Sequence, residues 1–148
     1  MQNEPIHVLL ADDDEDDRLF FKEAFEEIKI QTIVNTVIDG VELIKYLLMP
    51  NVILPHVLFL DLNMPRKSGL ECLREIKSDN RLKEIPVAIY STSASEEDVE
   101  ETFVQGANVY IKKPSDFNTL KKIVFEVITI NWDYHTSALS RENFLLNL

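Results

Sequence analysis

One cysteine, three histidines and 15 basic residues against 26 acidic ones define what this 148-residue chain is short of. The lone thiol, Cys72, cannot close an internal disulfide, and its setting in Leu70-Glu71-Cys72-Leu73 suits a helix face, so a structural thiol is expected. His7, His56 and His135 form no cluster, which argues against a histidine metal centre. A net charge of −11 leaves too little counter-charge for nucleic acid or an anionic membrane as a direct partner. Basic protein patches and divalent cations suit it better. The amino terminus carries no apolar segment long enough for secretion, and no run approaches the about 18 to 20 residues of a membrane span. A soluble cytoplasmic protein is therefore expected. Internal repeats, low-complexity tracts and domain linkers are also missing from the chain.

What is present is a core-forming composition, 45% hydrophobic, in a chain of single-domain size that can bury about two-thirds of its unfolded surface. Strand-like runs recur at Val8 to Ala11, Thr32 to Thr36, Val57 to Leu60, Val87 to Tyr90 and Asn108 to Ile111. They read as continuously apolar, as buried parallel strands do, and stretches with helical spacing lie between them. Parallel βαβ units with helices on both faces of the sheet follow.

Caps place the helices. Asp14-Glu15-Asp16-Asp17 suits a first turn, where acids meet the positive end of the helix, and reads as a solvated helix start; Phe21, Ala24, Phe25 and Ile28 then form one face. Asp39-Gly40 precedes Val41 to Leu48, and Ser68-Gly69 precedes Leu70 to Lys77. Ser95-Glu96-Glu97-Asp98 has the form of a capping box, opening a helix that stops at Gly106. Asp116 caps a last helix carrying Leu120, Ile123, Val124, Val127 and Ile128.

The chemistry collects at the strand ends. Asp61 follows Val57-Leu58-Phe59-Leu60, Asp12-Asp13 follows the first strand, Ser91 the fourth, and Lys113-Pro114 the fifth. In an open parallel sheet ligands bind at the carboxyl ends of the strands. Carboxylates crowded there repel one another unless a cation compensates, and Mg2+ fits, since it takes carboxylate and carbonyl oxygens and then those of a phosphoryl group. With the ion in place one carboxylate is free to attack phosphorus. Asp61, single and central, is the expected nucleophile, and the Asp12-Asp13 pair is suited to the metal.

This pattern resembles the receiver domain of two-component response regulators over about residues 6 to 130. The Asp12-Asp13 pair, Asp61-Leu62-Asn63-Met64-Pro65 with Gly69, Ser91, and Tyr110 to Lys113-Pro114 carry the resemblance. It implies Asp61 as phosphoacceptor, Asp13 as a direct Mg2+ ligand, Asp12 as a ligand through water and Asn63 as a ligand through its carbonyl. It further implies Ser91 as the switch hydroxyl, Lys113 as its cationic partner, Tyr110 as a switch aromatic and a cis bond at Lys113-Pro114. The implied fold is an α/β, doubly wound, flavodoxin-like three-layer sandwich with a five-stranded parallel sheet in order 2-1-3-4-5. Thr92 and Ser93 depart from the commonest pattern, which puts the lifetime of a phosphorylated form in question.

Residues 1–130 are thus expected to form the receiver domain, and 131–148, with Trp132, Tyr134, Phe144, Leu145, Leu146 and Leu148, a C-terminal extension docked on it. The chain leaves no room for an output domain, so output is expected through protein contacts near the fourth helix, fifth strand and fifth helix, including Phe103. A histidine kinase or histidine phosphotransfer protein is the expected donor, a further protein the expected target, and homodimerisation is left open. Three rival readings compete with this one. A calcium loop over Asp12, Asp14, Asp16 and Glu23 fails because Asp17 stands where the tight turn needs glycine. A haloacid-dehalogenase-like, Mg2+-dependent phosphohydrolase shares the strand-end aspartate, but Asn63 replaces the second acid of its motif. A receiver-like binding module without phosphorylation is the third.

Overall fold

A computed structural model describes residues 4–130 and 144–146. In chain order the elements are β1 (Ile6–Ala11), α1 (Glu15–Glu27), β2 (Thr32–Val37), α2 (Gly40–Leu47), β3 (Val57–Leu60), α3 (Gly69–Ser78), β4 (Val87–Ser91), α4 (Glu96–Val104), β5 (Val109–Lys112), α5 (Phe117–Ile128) and β6 (Leu145–Leu146). All strand pairs are parallel and the order is β2-β1-β3-β4-β5-β6. The five expected strands stand in the expected order. A sixth, two residues long, is added at the outer edge of β5, with Leu145 opposite Tyr110 and Leu146 opposite Ile111.

The period-two alternation of strand side chains divides the core into two layers. Leu9, Ala11, Leu58, Leu60, Val87, Ile89 and Tyr110 pack on the face that carries Leu43 and Leu47 of α2 and Leu73 and Ile76 of α3. Val8, Leu10, Val57, Phe59, Ala88, Tyr90, Val109 and Ile111 pack on the opposite face, against Phe21, Ala24 and Phe25 of α1 and Leu120, Val124 and Val127 of α5. A doubly wound α/β sandwich results, and its central strands are buried on both sides. The second strand corrects the expectation of a uniformly apolar run: Thr32 to Thr36 alternate half-buried and exposed, because β2 is an edge strand with Ile33 facing outward.

The caps appear at the expected residues. Asp14, Asp39, Ser68, Ser95 and Asp116 each accept a hydrogen bond from the N–H three residues on. At Ser68 the reciprocal contact from the Glu71 carboxylate to the Ser68 N–H completes a capping box. Gly106, just past α4, takes φ +98°, the left-handed conformation that glycine adopts without steric cost. Cys72 is buried on α3, its thiol directed at the Gly40 carbonyl at 3.4 Å and pushed up to about 12 by burial, as a structural thiol should be. Expectations for Trp132, Tyr134 and Leu148 lie outside the described residues.

Candidate functional site

The site is built where ladder hydrogen bonds run past the ends of three strands. The Asp12 N–H donates to Val37 O at 3.1 Å, the Asp61 N–H to Ala11 O at 3.0 Å and the Lys113 N–H to Ser91 O at 2.7 Å. These bonds carry the sheet's register into the residues that follow β1, β3 and β5, so the side chains of Asp12, Asp61 and Lys113 meet at one edge. Asp12 and Asp61 are buried, and Asp13 is exposed beside them. One carboxylate oxygen from each of the three lies within 4.8 Å of the others.

The loop after β3 holds Asp61 from the other side. Gly69 N–H donates to Leu62 O at 2.9 Å, and a Cβ at Gly69 would stand 2.1 Å from the Asp61 carbonyl oxygen, so only glycine lets α3 start this close. Between them Lys67 N–H closes a three-residue turn onto Pro65 O at 2.7 Å, with Arg66 at φ 67°. The same loop places Asn63 at the rim, exposed, its N–H 3.3 Å from Asp61 Oδ1.

Lys113 supplies the positive charge. Its buried ammonium lies 2.8 Å from Asp12 Oδ2, 2.8 Å from Asp17 Oδ2 and 3.3 Å from Asp61 Oδ2, and 5.4 Å from the centroid of the Tyr90 ring. Burial works against that charge, but Asp12, Asp17 and Asp61 together outweigh it and hold the lysine above its ordinary range. Burial lifts Asp12 to about 6 and also raises Asp61, and in both cases Lys113 and neighbouring N–H groups recover only part of the shift. Asp12 Oδ2 has the Lys113 ammonium at 2.8 Å as an ion pair and no further partner among the described residues. A buried carboxylate oxygen with an open lone pair, beside two more carboxylates, is a donor set for a hard divalent cation.

Ser91 ends β4 fully buried, its Oγ accepting from the Ser93 N–H at 3.2 Å. Tyr110 is also fully inside, its hydroxyl donating to Ser93 O at 2.5 Å, and burial lifts the phenol to about 12. Ser93 Oγ in turn donates to Asp98 of α4 at 3.0 Å. One chain of contacts therefore runs from the end of β4 to α4 and to β5. Thr92 is exposed.

The structure brings together Asp12, Asp13, Asp61 and Lys113, with Asn63, Ser91 and Tyr110 around them. It adds a residue that the sequence reading placed among solvated acids: Asp17, on the first turn of α1, bound to Lys113. Its place in the first turn carries no signal of that role, because an acid there is equally well explained by the helix dipole. One expectation is overturned. Every peptide bond among the described residues is trans, Lys113-Pro114 included, and the cis form had no support beyond the resemblance against a trans preference of about 0.5–1 kcal/mol.

A doubly wound sheet with an acid cluster and a lysine at the ends of β1, β3 and β5 defines a class, the flavodoxin-like α/β fold with a strand-end acidic site. Comparison makes it specific: residues 8–125 match the response regulator receiver domain, and the chain belongs to that family. The probable methanogenesis regulatory protein FilR2 of Methanothrix harundinacea is 32% identical over 127 residues, covering 84% of this chain and 82% of its own. Response regulator Rcp1 of Synechocystis is 32% identical over 126 residues, 82% of this chain and 86% of Rcp1. The crystal structure of the Mn(2+)-bound form of Rcp1 superposes with a TM-score of 0.77 at 31% identity, covering 86% of this chain and 94% of that one. The phosphorylated cyanobacterial phytochrome response regulator RcpA gives 0.78 at 33% identity, covering 93% and 98%. Among the described residues no helix is long and apolar enough to cross a membrane.

Proposed function

We propose that this receiver domain accepts a phosphoryl group on Asp61 and signals through protein contacts. The observation that carries the reading is the convergence of the Asp12, Asp13 and Asp61 carboxylates within 4.8 Å beside a buried lysine. Asp13 and Asp61 would hold Mg2+ directly, Asp12 through water and Asn63 through its carbonyl; bound there, the cation neutralises the carboxylates and the phosphoryl oxygens. An Asp61 oxygen attacks phosphorus in line with the leaving group. With a phosphohistidine donor the P–N bond breaks, a P–O bond forms, and the imidazole leaves with a proton. Alignment and charge are most of what such a transfer needs, and Lys113 provides charge at a phosphoryl oxygen.

Ser91 is the hydroxyl that turns toward the new phosphoryl group. Its movement disturbs the Ser93 backbone on which the Tyr110 hydroxyl rests, so the change reaches α4, β5 and α5 through a two-state rearrangement. A histidine kinase or histidine phosphotransfer protein is the donor, and a protein bound at that face is the target. RcpA is a cyanobacterial phytochrome response regulator, which makes a phytochrome-type kinase the first donor to try. Family membership supports this reading over the dehalogenase-type phosphohydrolase.

Incubation with acetyl phosphate and Mg2+ should label the parent chain and leave Asp61→Asn unlabelled. Full labelling of Asp61→Asn would move the nucleophile elsewhere. A parent chain that takes no label would favour a receiver fold used for binding alone.

A further inference from the structure

Lys113 is held by one more carboxylate than the phosphoacceptor chemistry calls for. Asp17 Oδ2 lies 2.8 Å from its ammonium, closer than Asp61 Oδ2 at 3.3 Å, yet Asp17 is outside the three carboxylates that can share one ion. It is the third residue of α1 and is fixed there by hydrogen bonds between side chains and the main chain. Its own N–H donates to the capping carboxylate of Asp14 at 3.0 Å, and the next residue, Arg18, donates Nη1 to the Asp12 carbonyl at 2.9 Å. The turn opening α1 is thus tied to the end of β1. The Asp17 side chain is 37% exposed against 8% for Lys113, so Asp17 reaches the nearly enclosed ammonium from the solvent side of the edge.

We infer that Asp17 is a positioning residue: it shares the Lys113 ammonium with Asp61, so that the hydrogen bond Lys113 donates to Asp61 Oδ2 stays the longer one, at 3.3 Å against 2.8 Å, and gives way to the cation and the phosphorus. The inference rests on the function proposed above. A lysine is a flexible point charge that follows the strongest nearby carboxylate. Without the Asp17 charge the ammonium is left to Asp12 and Asp61, and its bond to the Asp61 oxygen tightens.

The test is the initial rate of labelling by acetyl phosphate at saturating Mg2+, followed by mass spectrometry of the intact chain. Asp17→Asn should label about three- to tenfold more slowly than the parent, Asp17→Glu should recover part of the rate, and Asp17→Asn should have no further effect in a Lys113→Ala chain. Equal rates for the parent and Asp17→Asn overturn the inference. So does a loss of the same size in the Lys113→Ala background, since Asp17 would then not act through the lysine. Where Lys113→Ala labels too slowly to time, the same cycle is read as Mg2+ affinity by calorimetry, with Asp17→Asn weakening binding only when Lys113 is present. Asp61→Asn serves as the control. If the parent labels and Asp61→Asn does not, an unchanged Asp17→Asn rate counts against the inference alone.

Discussion

Asp12 is where burial and charge conflict most directly. Burial lifts its carboxyl to about 6, against 3.8 for an ordinary aspartate. For an acid raised in this way, the proton-bound form favours the folded state; that contribution is full below about pH 4 and is lost as pH rises through about 6. A cation must displace the same proton. Mg2+ affinity should therefore fall by up to about tenfold per pH unit as pH is lowered from 6 toward 4, with a proton released on binding. Calorimetry in buffers of differing ionisation enthalpy checks this, and a flat profile would contradict it. Asp12→Asn removes the buried charge while retaining an oxygen for the Asp14 N–H, which donates to Asp12 Oδ1 at 3.0 Å. It should raise metal-free stability by about 1–3 kcal/mol in urea unfolding, yet weaken Mg2+ binding and flatten its pH dependence. Asp12, Asp13, Asp61 and Lys113 were legible in the sequence because each follows an apolar strand, and sheet topology alone brings strand ends together. Asp17 was not, because a first-turn acid is equally well explained by the helix dipole; only the path of Lys113 across the edge separates the two roles.

Among the elements, the β3–α3 connection is the one whose geometry the site depends on. Gly69 approaches the Asp61 backbone so closely that Gly69→Ala must push the loop away, with the added Cβ 2.1 Å from Asp61 O and 2.7 Å from Leu62 Cα. It should destabilise the chain by roughly 1–3 kcal/mol and slow labelling of Asp61 as well. Gly106→Ala is the comparison: φ +98° makes it costly by about 1–2 kcal/mol, but it sits at the end of α4, where a Cβ would touch only the Lys77 side chain at 3.4 Å. Labelling should be unaffected there, and equal losses of labelling in both variants would contradict the role given to the loop. The helix starts were readable because a capping side chain is a local device, satisfied within four residues of sequence. β6 was not readable, since a two-residue strand has no period and exists only through pairing with β5.

Across the whole molecule, the described part of the extension lies on the face where signalling output is proposed. Phe144 is buried between Phe103 of α4 and Tyr110 of β5, with ring centroids 5.3 and 6.1 Å away. Phe144 and β6 are the described part of residues 131–148 that packs on this face. Truncation after Ile130 should then cost on the order of 3 kcal/mol, the scale of losing one buried aromatic, and lower the melting temperature. An unchanged melting temperature would point instead to a free or partner-binding tail. The order β2-β1-β3-β4-β5 was anticipated through the family resemblance, because alternating strand and helix patterns define a parallel sheet but not which strands are neighbours. The central claim is that the acids at this edge serve a phosphoryl group on Asp61 with a divalent cation among them. Borohydride reduction after acetyl phosphate treatment tests it directly, since it converts an aspartyl phosphate to homoserine at the residue that carried it. Homoserine at position 61 in the presence of Mg2+, and none with chelator, is the result expected; conversion at another aspartate, or at Asp61 regardless of metal, would contradict it.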